Sequence, residues 1–320
     1  YASIRGKRRR YMNRWTWGGI AASLLLSVTL GTVYWQNDRT KNVQEVNSGF
    51  RFSPGHKNVI LSLGGGQKIV IDSTFSEKTV GQDCVAIQVE NGVLRYRQNT
   101  VITEAPVFNE LVVPPSGEYI VELVDGTKIY LNSDSRLRYP TSFTGMNERR
   151  VFLEGEAYFE VSKDEDHPFI VRTERLDVTV LGTGFNVMAY KQDPRTEVTL
   201  VKGKVDVRRG KINEILTPSR QFVMNNENQE YEVKTVNVAT YVDWKDGVLN
   251  FDGMPLEELG DKLGRWYEVK FFFTKESLKR LKFSGAFKKY NEIGYILSLI
   301  EATTNVTFKI DKDMIVVNEK

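Results

Sequence analysis

The sequence predicts one N-terminal transmembrane helix, then a mainly β domain, then a small α+β domain. Three observations support this fold class. Residues 15–35 contain no charged side chain, residues 45 to about 240 consist of short alternating stretches separated by turn residues, and helical periodicity returns after residue 243. We expect the β domain, residues 45–243, to be a twisted β-solenoid or an open β-sandwich. The α+β domain is expected at residues 247–320.

The uncharged stretch has the length and the flanking residues of a membrane-spanning helix. Its 21 residues would form a helix of about 30 Å, which matches the hydrocarbon core of a bilayer. Trp15 and Trp17 lie at one end and Tyr34 and Trp35 at the other, where aromatic rings favour the headgroup region. A cleaved signal peptide is disfavoured, because it needs a shorter apolar stretch and a cleavage site of small residues.

Charge is distributed unevenly along the chain. Residues 1–14 hold six basic side chains and no acid, and since the whole chain carries +3, the remainder carries −3. The positive-inside bias therefore predicts a cytoplasmic N-terminus, one span at 15–35 and residues 36–320 on the outside. An exported domain without disulfides is compatible with a bacterial periplasm, so we expect a single-pass protein of the bacterial inner membrane with a periplasmic C-terminus. The mildly acidic remainder has no footprint for direct nucleic-acid binding. A single cysteine, Cys84, excludes an internal disulfide.

Alternation of apolar and polar residues predicts the strands of the β domain. One strand places Leu176, Val178 and Val180 on one face and Asp177 and Thr179 on the other. Similar stretches recur throughout the domain, and pairs of turn residues separate them. Further strands are expected within residues 151–161, 168–171, 185–190 and 196–207.

Two segments separated by 60 residues repeat one pattern. Residues 60–69 and residues 120–129 both contain a strand, a glycine turn and a second strand. Two copies fit stacked β-hairpins. The glycine run that ends at Gly66 is therefore interpreted as a hairpin turn rather than a phosphate loop, since no helix follows it.

The C-terminal domain is expected to contain two helices and five strands, in the order βαβ-βαββ. The strands are predicted at residues 248–251, 269–273, 281–287, 306–310 and 314–318. The apolar faces of the two helices are Leu256, Leu259, Leu263, Trp266 and Tyr267 in the first and Ile293, Ile296, Leu297 and Ile300 in the second.

The sequence offers few side chains for catalysis or metal binding. His56 and His167 are the only histidines and lie far apart, and the acids before His167 are better explained as a turn than as metal ligands. Glu154, Glu156 and Glu160 share one face of a strand, most simply a solvated one. We expect no metal, no cofactor and no enzyme with turnover, which disfavours a membrane-anchored hydrolase.

A second functional alternative is a periplasmic glycan- or peptide-binding sensor on a membrane anchor. Exposed aromatic side chains clustered in a groove would favour it. Tyr158, Tyr190, Trp244 and Trp266 are the candidates, and the alternative for all four is a place in the core.

One covalent possibility remains open at Gly182-Thr183. The sequence Gly-Thr-Gly lies between two predicted strands, where a bulge or a sharp bend is the default interpretation. A threonine hydroxyl that follows a strained glycine carbonyl can also attack it, in an acyl shift that ends in one cut of the chain. Both interpretations stand at this point.

Three motifs carry a resemblance to a known family: GEYIVELVDGTKIYLNSDSRLRYPTSF at 117–143, VFLEGEAYFEVSKDEDHPFIV at 151–171 and VTVLGTGFNVMAY at 178–190. With them, the chain resembles the FecR-type transmembrane anti-sigma factors, in the form abundant in Bacteroidota. Residues 242–273 look like the C-terminal module of that family, which is similar to the secretin/TonB short N-terminal domain.

The resemblance implies a signalling role. The signalling domain of an outer-membrane TonB-dependent transporter would contact the periplasmic part, and an extracytoplasmic-function (ECF) sigma factor would be released to transcribe nutrient-uptake genes. Envelope proteases act on relatives, and some relatives cut themselves at a Gly-Thr bond, which Gly182-Thr183 matches. The sigma-binding helices should precede the span, and residues 1–14 are too few to hold them.

The C-terminal domain is the expected docking site for the transporter. Strand addition by the partner would need an exposed strand edge, and residues 281–287 and 314–318 are the candidate edges. The side chains predicted to bind the partner are therefore Phe283, Phe287, Ile315 and Val317. The alternative is that both strands are interior.

Overall fold

The computed structural model describes residues 59–71, 79–82, 85–98, 107–289 and 291–320, which all belong to one compact unit. Residues 1–14 and the predicted transmembrane helix at residues 15–35 lie outside the described part. Within the described ranges, no helix combines the length and the apolar character that a membrane crossing needs.

Eighteen described strands between residues 59 and 235 form two sheets, and we call this part the β body. Its strands are β1 Val59–Ser62, β2 Lys68–Ile71, β3 Thr79–Gln82, β4 Val85–Glu90, β5 Val93–Gln98, β6 Phe108–Val113, β7 Tyr119–Glu122, β8 Lys128–Leu131, β9 Ser135–Pro140, β10 Arg149–Glu160, β11 Phe169–Arg172, β12 Asp177–Val180, β13 Gly184–Ala189, β14 Arg195–Lys202, β15 Val205–Arg209, β16 Ile212–Leu216, β17 Arg220–Asn225 and β18 Tyr231–Thr235.

The two sheets of the β body share one long strand. The first sheet has the order β2-β1-β6-β9-β10-β11-β12-β15-β16, and the second has the order β3-β4-β5-β7-β8-β10-β13-β14-β17-β18. All described strand pairs of the β body are antiparallel except β10 with β11 and β5 with β7. From β11 onward, successive strand pairs alternate between the sheets. The predicted mainly β domain is confirmed, and its arrangement is an open sandwich of stacked hairpins.

The core of the β body lies between the inner faces of the two sheets. Leu176, Val178 and Val180 are buried in it, which confirms the predicted alternation. The rings of Phe159 and Phe185 stack with their centroids 5.0 Å apart. A fully buried side chain of this size contributes roughly 1.5–3 kcal/mol relative to an exposed one.

The two repeated segments are hairpins with identical turn hydrogen bonds. In the first, the N–H of Leu63 donates to Gln67 O at 2.8 Å. In the second, the N–H of Leu123 donates to Thr127 O at 2.9 Å. The hairpin prediction is confirmed for both, although β1-β2 belongs to the first sheet and β7-β8 to the second.

Residues 239–320 form a module with its own hydrophobic core, which we call the C-terminal module. The predicted order of two helices and five strands is confirmed within residues 247–320, where one short extra helix lies between the second and third strands. The elements are α1 Ala239–Val242, a 3-10 helix Asp243–Asp246, β19 Val248–Pro255, α2 Leu256–Tyr267, β20 Lys270–Phe273, α3 Glu276–Lys279, β21 Lys282–Lys288, α4 Ile293–Thr303, β22 Val306–Asp311 and β23 Met314–Glu319.

The C-terminal module contains two small sheets, β19-β21 and β20-β23-β22. The predicted apolar faces of α2 and α4 are buried between and against them. The edge prediction for residues 314–318 is wrong, because β23 pairs with β20 on one side and β22 on the other.

A glycine lets β10 pass from one sheet to the other. Glu154 still pairs with Arg136 of the first sheet, whereas Gly155 pairs with Ala189 of the second. Gly155 has φ +104°, and a Cβ there would lie 2.4 Å from the Oγ of Ser135. Backbone conformation and space therefore both require glycine at this position.

We expect Gly155→Ala to lower the free energy of unfolding by about 3 kcal/mol, because left-handed strain and a steric clash act together. Gly210→Ala is the matched control: Gly210 also has positive φ, but a Cβ at this position would have no atom within 4 Å. The control should cost about 1 kcal/mol. Urea unfolding of both variants measures the difference, and equal losses would contradict the packing argument.

Candidate functional site

The outer face of the second sheet is covered by the C-terminal module, and we call this contact the seam. On the β body it contains side chains of β10, β13 and β14, of the loop before β7 and of the loops after β8 and after β13. On the module it contains side chains of the 3-10 helix, of α2 and of the residue that follows β21. The main seam residues are Glu118, Asn132, Glu156, Tyr158, Asn186, Tyr190, Asp193, Trp244, Lys262, Arg265, Trp266 and Lys289.

A buried carboxylate lies at the centre of the seam. Glu156 is 6% exposed, and its two oxygens accept hydrogen bonds from the side-chain amides of Asn132 at 2.8 Å and Asn186 at 2.9 Å. Each amide oxygen in turn accepts an indole N–H from the module: Trp266 donates to Asn132 at 3.0 Å and Trp244 donates to Asn186 at 3.3 Å. The result is a symmetric relay of five side chains, which we call the glutamate relay.

The glutamate relay corrects the interpretation of the three carboxylates on β10. Glu154, Glu156 and Glu160 do alternate with core residues, but only Glu154 and Glu160 are exposed. Glu156 is buried because the C-terminal module covers this stretch of the strand. Its neighbours in the relay are amides rather than a second carboxylate, so Glu156 has a structural environment and not that of an acid–base pair.

A lysine of the module is inserted beside the relay. The ammonium of Lys289 lies 2.7 Å from the Oε2 of Glu118 on the β body and is 3% exposed. It also lies 5.4 Å from the ring centroid of Trp244 and 5.6 Å from that of Trp266. The same two indoles therefore donate to the relay and surround the lysine.

A second ion pair joins the module to the loop after β13. The guanidinium of Arg265 donates to both oxygens of Asp193 at 3.0 and 3.3 Å, and it lies 4.0 Å from the ring centroid of Tyr190. The N–H of Ser116 donates to the carbonyl of Arg265 at 2.8 Å. Burial raises the pKa of Asp193 and of Tyr190, and Arg265 opposes both shifts.

A cavity of about 130 Å³ lies beside this ion pair, between α2 and the start of β14. Arg195 and Glu258 form an ion pair at its wall. Desolvation raises the pKa of Asp261 to about 6, and the nearby carboxylate of Asp193 acts in the same direction while Arg265 opposes it. No group of His, Cys, Asp or Glu side chains in the described residues could hold a metal ion.

Gly182-Thr183 occupies a tight bend between β12 and β13, as the default interpretation predicts. A Cβ on Gly182 would lie 2.8 Å from the Cα of Lys163. The hydroxyl of Thr183 donates to the carbonyl of Lys204 at 3.1 Å, and the N–H of Val161 donates to the carbonyl of Thr183 at 3.0 Å. Two neighbouring loops therefore enclose this peptide bond.

The four side chains predicted to bind a partner lie in the core of the C-terminal module. Phe283 and Phe287 are 6% and 8% exposed, and Ile315 and Val317 are fully buried. They point inward because these are the core-facing positions of β21 and β23, so they present no surface to a partner. Among the described strands, β21 pairs with β19 alone, and its backbone keeps one edge free of strand pairing.

The aromatic residues that would have favoured a glycan groove are buried. Tyr158, Tyr190, Trp244 and Trp266 are all at most 6% exposed, so the core alternative holds for each of them. Sequence reasoning missed the two asparagines of the relay. A usable signal was present in Asn186, which interrupts an apolar strand in which asparagine is disfavoured.

Comparison with known proteins identifies the family. The family model described as "FecR protein" matches residues 109–206, and the family model described as "FecR, C-terminal" matches residues 248–317. Two crystal structures of a protein from Parabacteroides distasonis, assigned as an anti-sigma factor, are similar to this chain. They share 33% and 32% of residues with TM-scores of 0.62 and 0.63, and the match covers 66% and 67% of this chain and 99% and 100% of theirs.

The chain belongs to the FecR family of anti-sigma factors. Membership implies an interaction with a sigma factor. The two family matches lie on opposite sides of the seam, so the seam of this FecR-family protein joins the two family-defining parts to each other.

Two curated proteins also match part of this FecR-family protein. Both are glutamine-hydrolysing GMP synthases of Ehrlichia ruminantium, from the strains Gardel and Welgevonden, with 25% identity over 126 residues. The match covers 39% of this chain and 21% of each synthase, so the chain spans about a fifth of the length of these relatives. A match of this extent transfers no activity.

We expect Lys289→Met to lower the free energy of unfolding by about 3 kcal/mol, because it removes a buried ammonium that pairs with Glu118 and lies against the rings of Trp244 and Trp266. Lys275→Met is the matched control in the same module, since Lys275 forms an exposed ion pair with Glu319. Exposed pairs contribute about 0–1 kcal/mol. Chemical denaturation measures the free energy of unfolding of both variants. Similar losses of stability would show that the buried ion pair contributes no more than the exposed one.

Proposed function

We propose that this FecR-family protein relays a signal across a bacterial envelope by protein contact. The signalling domain of an outer-membrane TonB-dependent transporter contacts the periplasmic part, and the change passes through the membrane span to an ECF sigma factor that transcribes nutrient-uptake genes. Envelope proteases act on the chain during this process. The observation that supports a contact relay best is the seam, which couples the module to the β body through specific polar contacts.

The membrane part of the proposal rests on residues 1–35. Six basic side chains precede an uncharged stretch of 21 residues, which favours a cytoplasmic N-terminus and a periplasmic C-terminus. A single-pass topology of this kind places the sensor and the sigma factor on opposite sides of the inner membrane.

An alkaline phosphatase reporter fused after Lys320 tests this topology. Phosphatase is expected to be active, because the enzyme requires export, and a green fluorescent protein tag on the N-terminal side is expected to fluoresce in the cytoplasm. A second phosphatase fusion directly after Arg14 serves as the negative control. An inactive fusion at Lys320 together with an active fusion at Arg14 would overturn the membrane proposal.

The transporter contact is proposed at the free edge of β21. Strand addition takes its affinity from main-chain hydrogen bonds, and it needs an edge that no neighbouring strand occupies. Ser284 and Ala286 are exposed on this strand, between the two buried phenylalanines. The buried side chains thus hold the strand in place, while its backbone remains available to the partner.

A photo-crosslinking amino acid at position 286 tests the proposed edge without disturbing the core. Ala286→p-benzoylphenylalanine is expected to form a covalent adduct with the signalling domain of the transporter in cell envelopes. The same replacement of Lys211, an exposed residue on the turn between β15 and β16, is the control and should give no adduct. Adducts at both positions, or at Lys211 alone, would contradict docking on β21.

The proposal contains no turnover catalysis and one covalent step, a single cut at Gly182-Thr183. The Thr183 Oγ would attack the carbonyl carbon of Gly182, the C–N bond would break, and the hydroxyl proton would pass to the released amine of Thr183. Water would then hydrolyse the resulting ester to a Gly182 carboxylate and a free Thr183 hydroxyl. The glycine-specific backbone at Gly182 (φ +152°) supports this step.

A further inference from the structure

The two strands that carry the glutamate relay also hold the Gly182-Thr183 bend. Asn186 lies on β13, which begins at Gly184, directly after Thr183. Glu156 lies on β10, and the residue after this strand, Val161, donates its N–H to the carbonyl of Thr183 at 3.0 Å. The strands are neighbours in one sheet, with Tyr158 opposite Asn186.

We propose that docking of the C-terminal module at the seam holds the Gly182-Thr183 bend closed. Trp244 fixes Asn186 three residues after Thr183, and Trp266 and Trp244 together fix Glu156 through the two asparagines. Loss of these indole hydrogen bonds frees β10 and β13 to shift against each other and loosens the bend at their shared end. The Gly182-Thr183 peptide bond is the one that the proposed function assigns to self-cleavage. Docking of the module can hold this bend closed whether or not the bond is ever cut.

The contacts that surround the Gly182-Thr183 bend explain why the positions of β10 and β13 affect it. The bend is held from one side by residues 161–164, whose N–H groups at Val161 and Asp164 donate to Thr183 O and Leu181 O at 3.0 and 2.9 Å. From the other side, Gly203 approaches so closely that a Cβ there would lie 2.8 Å from the Thr183 Oγ. A small displacement of either strand therefore breaks short contacts on the bend.

The polar contacts across the seam make the C-terminal module suited to release from the β body. Buried charges lose hydration when they are enclosed, so their pairing adds specificity with little net stability. The glutamate relay and three ion pairs occupy the seam, Arg265 with Asp193, Lys289 with Glu118 and Arg195 with Glu258. A partner that competes with the β body for the C-terminal module therefore does not have to separate a purely apolar interface at the seam.

The test removes the two indole donors and keeps a smaller aromatic ring at each of the two buried positions. Hydrogen exchange is measured on the double variant Trp244→Phe and Trp266→Phe, in peptides that cover residues 161–164 and 181–184. The expected result is roughly tenfold faster exchange in both peptides, which corresponds to the loss of two buried hydrogen bonds. The matched control is Phe273→Leu, a half-buried aromatic substitution in the same module that does not line the groove at Arg265 and Asp193.

The pattern of exchange separates control of the bend from a general loss of structure. In the double variant, the peptide of the first sheet at 169–178 and the module peptide at 306–319 should exchange as in the wild type. Wild-type rates at 161–164 and 181–184 in the double variant overturn the proposal, as does equally accelerated exchange in all four regions. Trp244→Phe alone is the milder variant and should give an intermediate effect.

Intact mass on the same samples distinguishes this inference from the proposed self-cleavage. Fragments that end at Gly182 and start at Thr183, more abundant in the double variant, support both. An uncut chain in every variant, together with faster exchange at the bend, refutes the self-cleavage and leaves the control of the bend standing. Fragments in equal amounts in wild type and double variant, with unchanged exchange, refute the control and leave the self-cleavage standing.

Discussion

The arrangement of the two family-defining parts depends on the buried carboxylate of Glu156. A carboxylate that loses its water must regain hydrogen bonds within the protein. Burial of an unpaired neutral polar group costs on the order of 2–7 kcal/mol, and burial of an unpaired charge costs more. Asn132 and Asn186 meet this requirement on the β body, and their own oxygens then need donors. The Asn132 oxygen accepts the N–H of Ser133 and the indole N–H of Trp266, and the Asn186 oxygen accepts the indole N–H of Trp244, so both amides gain a donor from the module. The module is thereby fixed in one position on the sheet.

The path of β10 places this carboxylate where the module can reach it. Before Gly155 the strand belongs to the first sheet, and after Gly155 it pairs with β8 and β13 in the second. The outward positions 156 and 158 therefore lie on the covered face, while Glu154 remains in solvent. Gly155, with its positive φ, therefore determines that Glu156 is the glutamate of β10 that is buried against the module.

The pattern of apolar and polar residues was sufficient to predict the strands and helices, but it was not sufficient to predict the contacts between them. Alternation along residues such as Val178 and Val180, and helical spacing along Leu256 to Tyr267, report only on which face is apolar, and both were correct. The seam was not predictable in the same way, because Asn132, Glu156 and Asn186 are far apart along the chain and meet through strand pairing. Burial of Phe283 and Ile315 follows the same alternation, whereas alternation cannot say which backbone edge of a strand is paired, as it is on both sides of β23. The segment at residues 15–35 lies outside the described part, so its prediction rests on sequence alone.

The connection between the β body and the module is very short. β18 ends at Thr235 and α1 begins at Ala239, so three residues separate them. A tether of this length keeps a detached module at an effective concentration on the order of millimolar beside its own binding face. Rebinding is then intramolecular and independent of how much protein the cell contains. A module displaced from the seam would therefore return to the same face without help from another molecule.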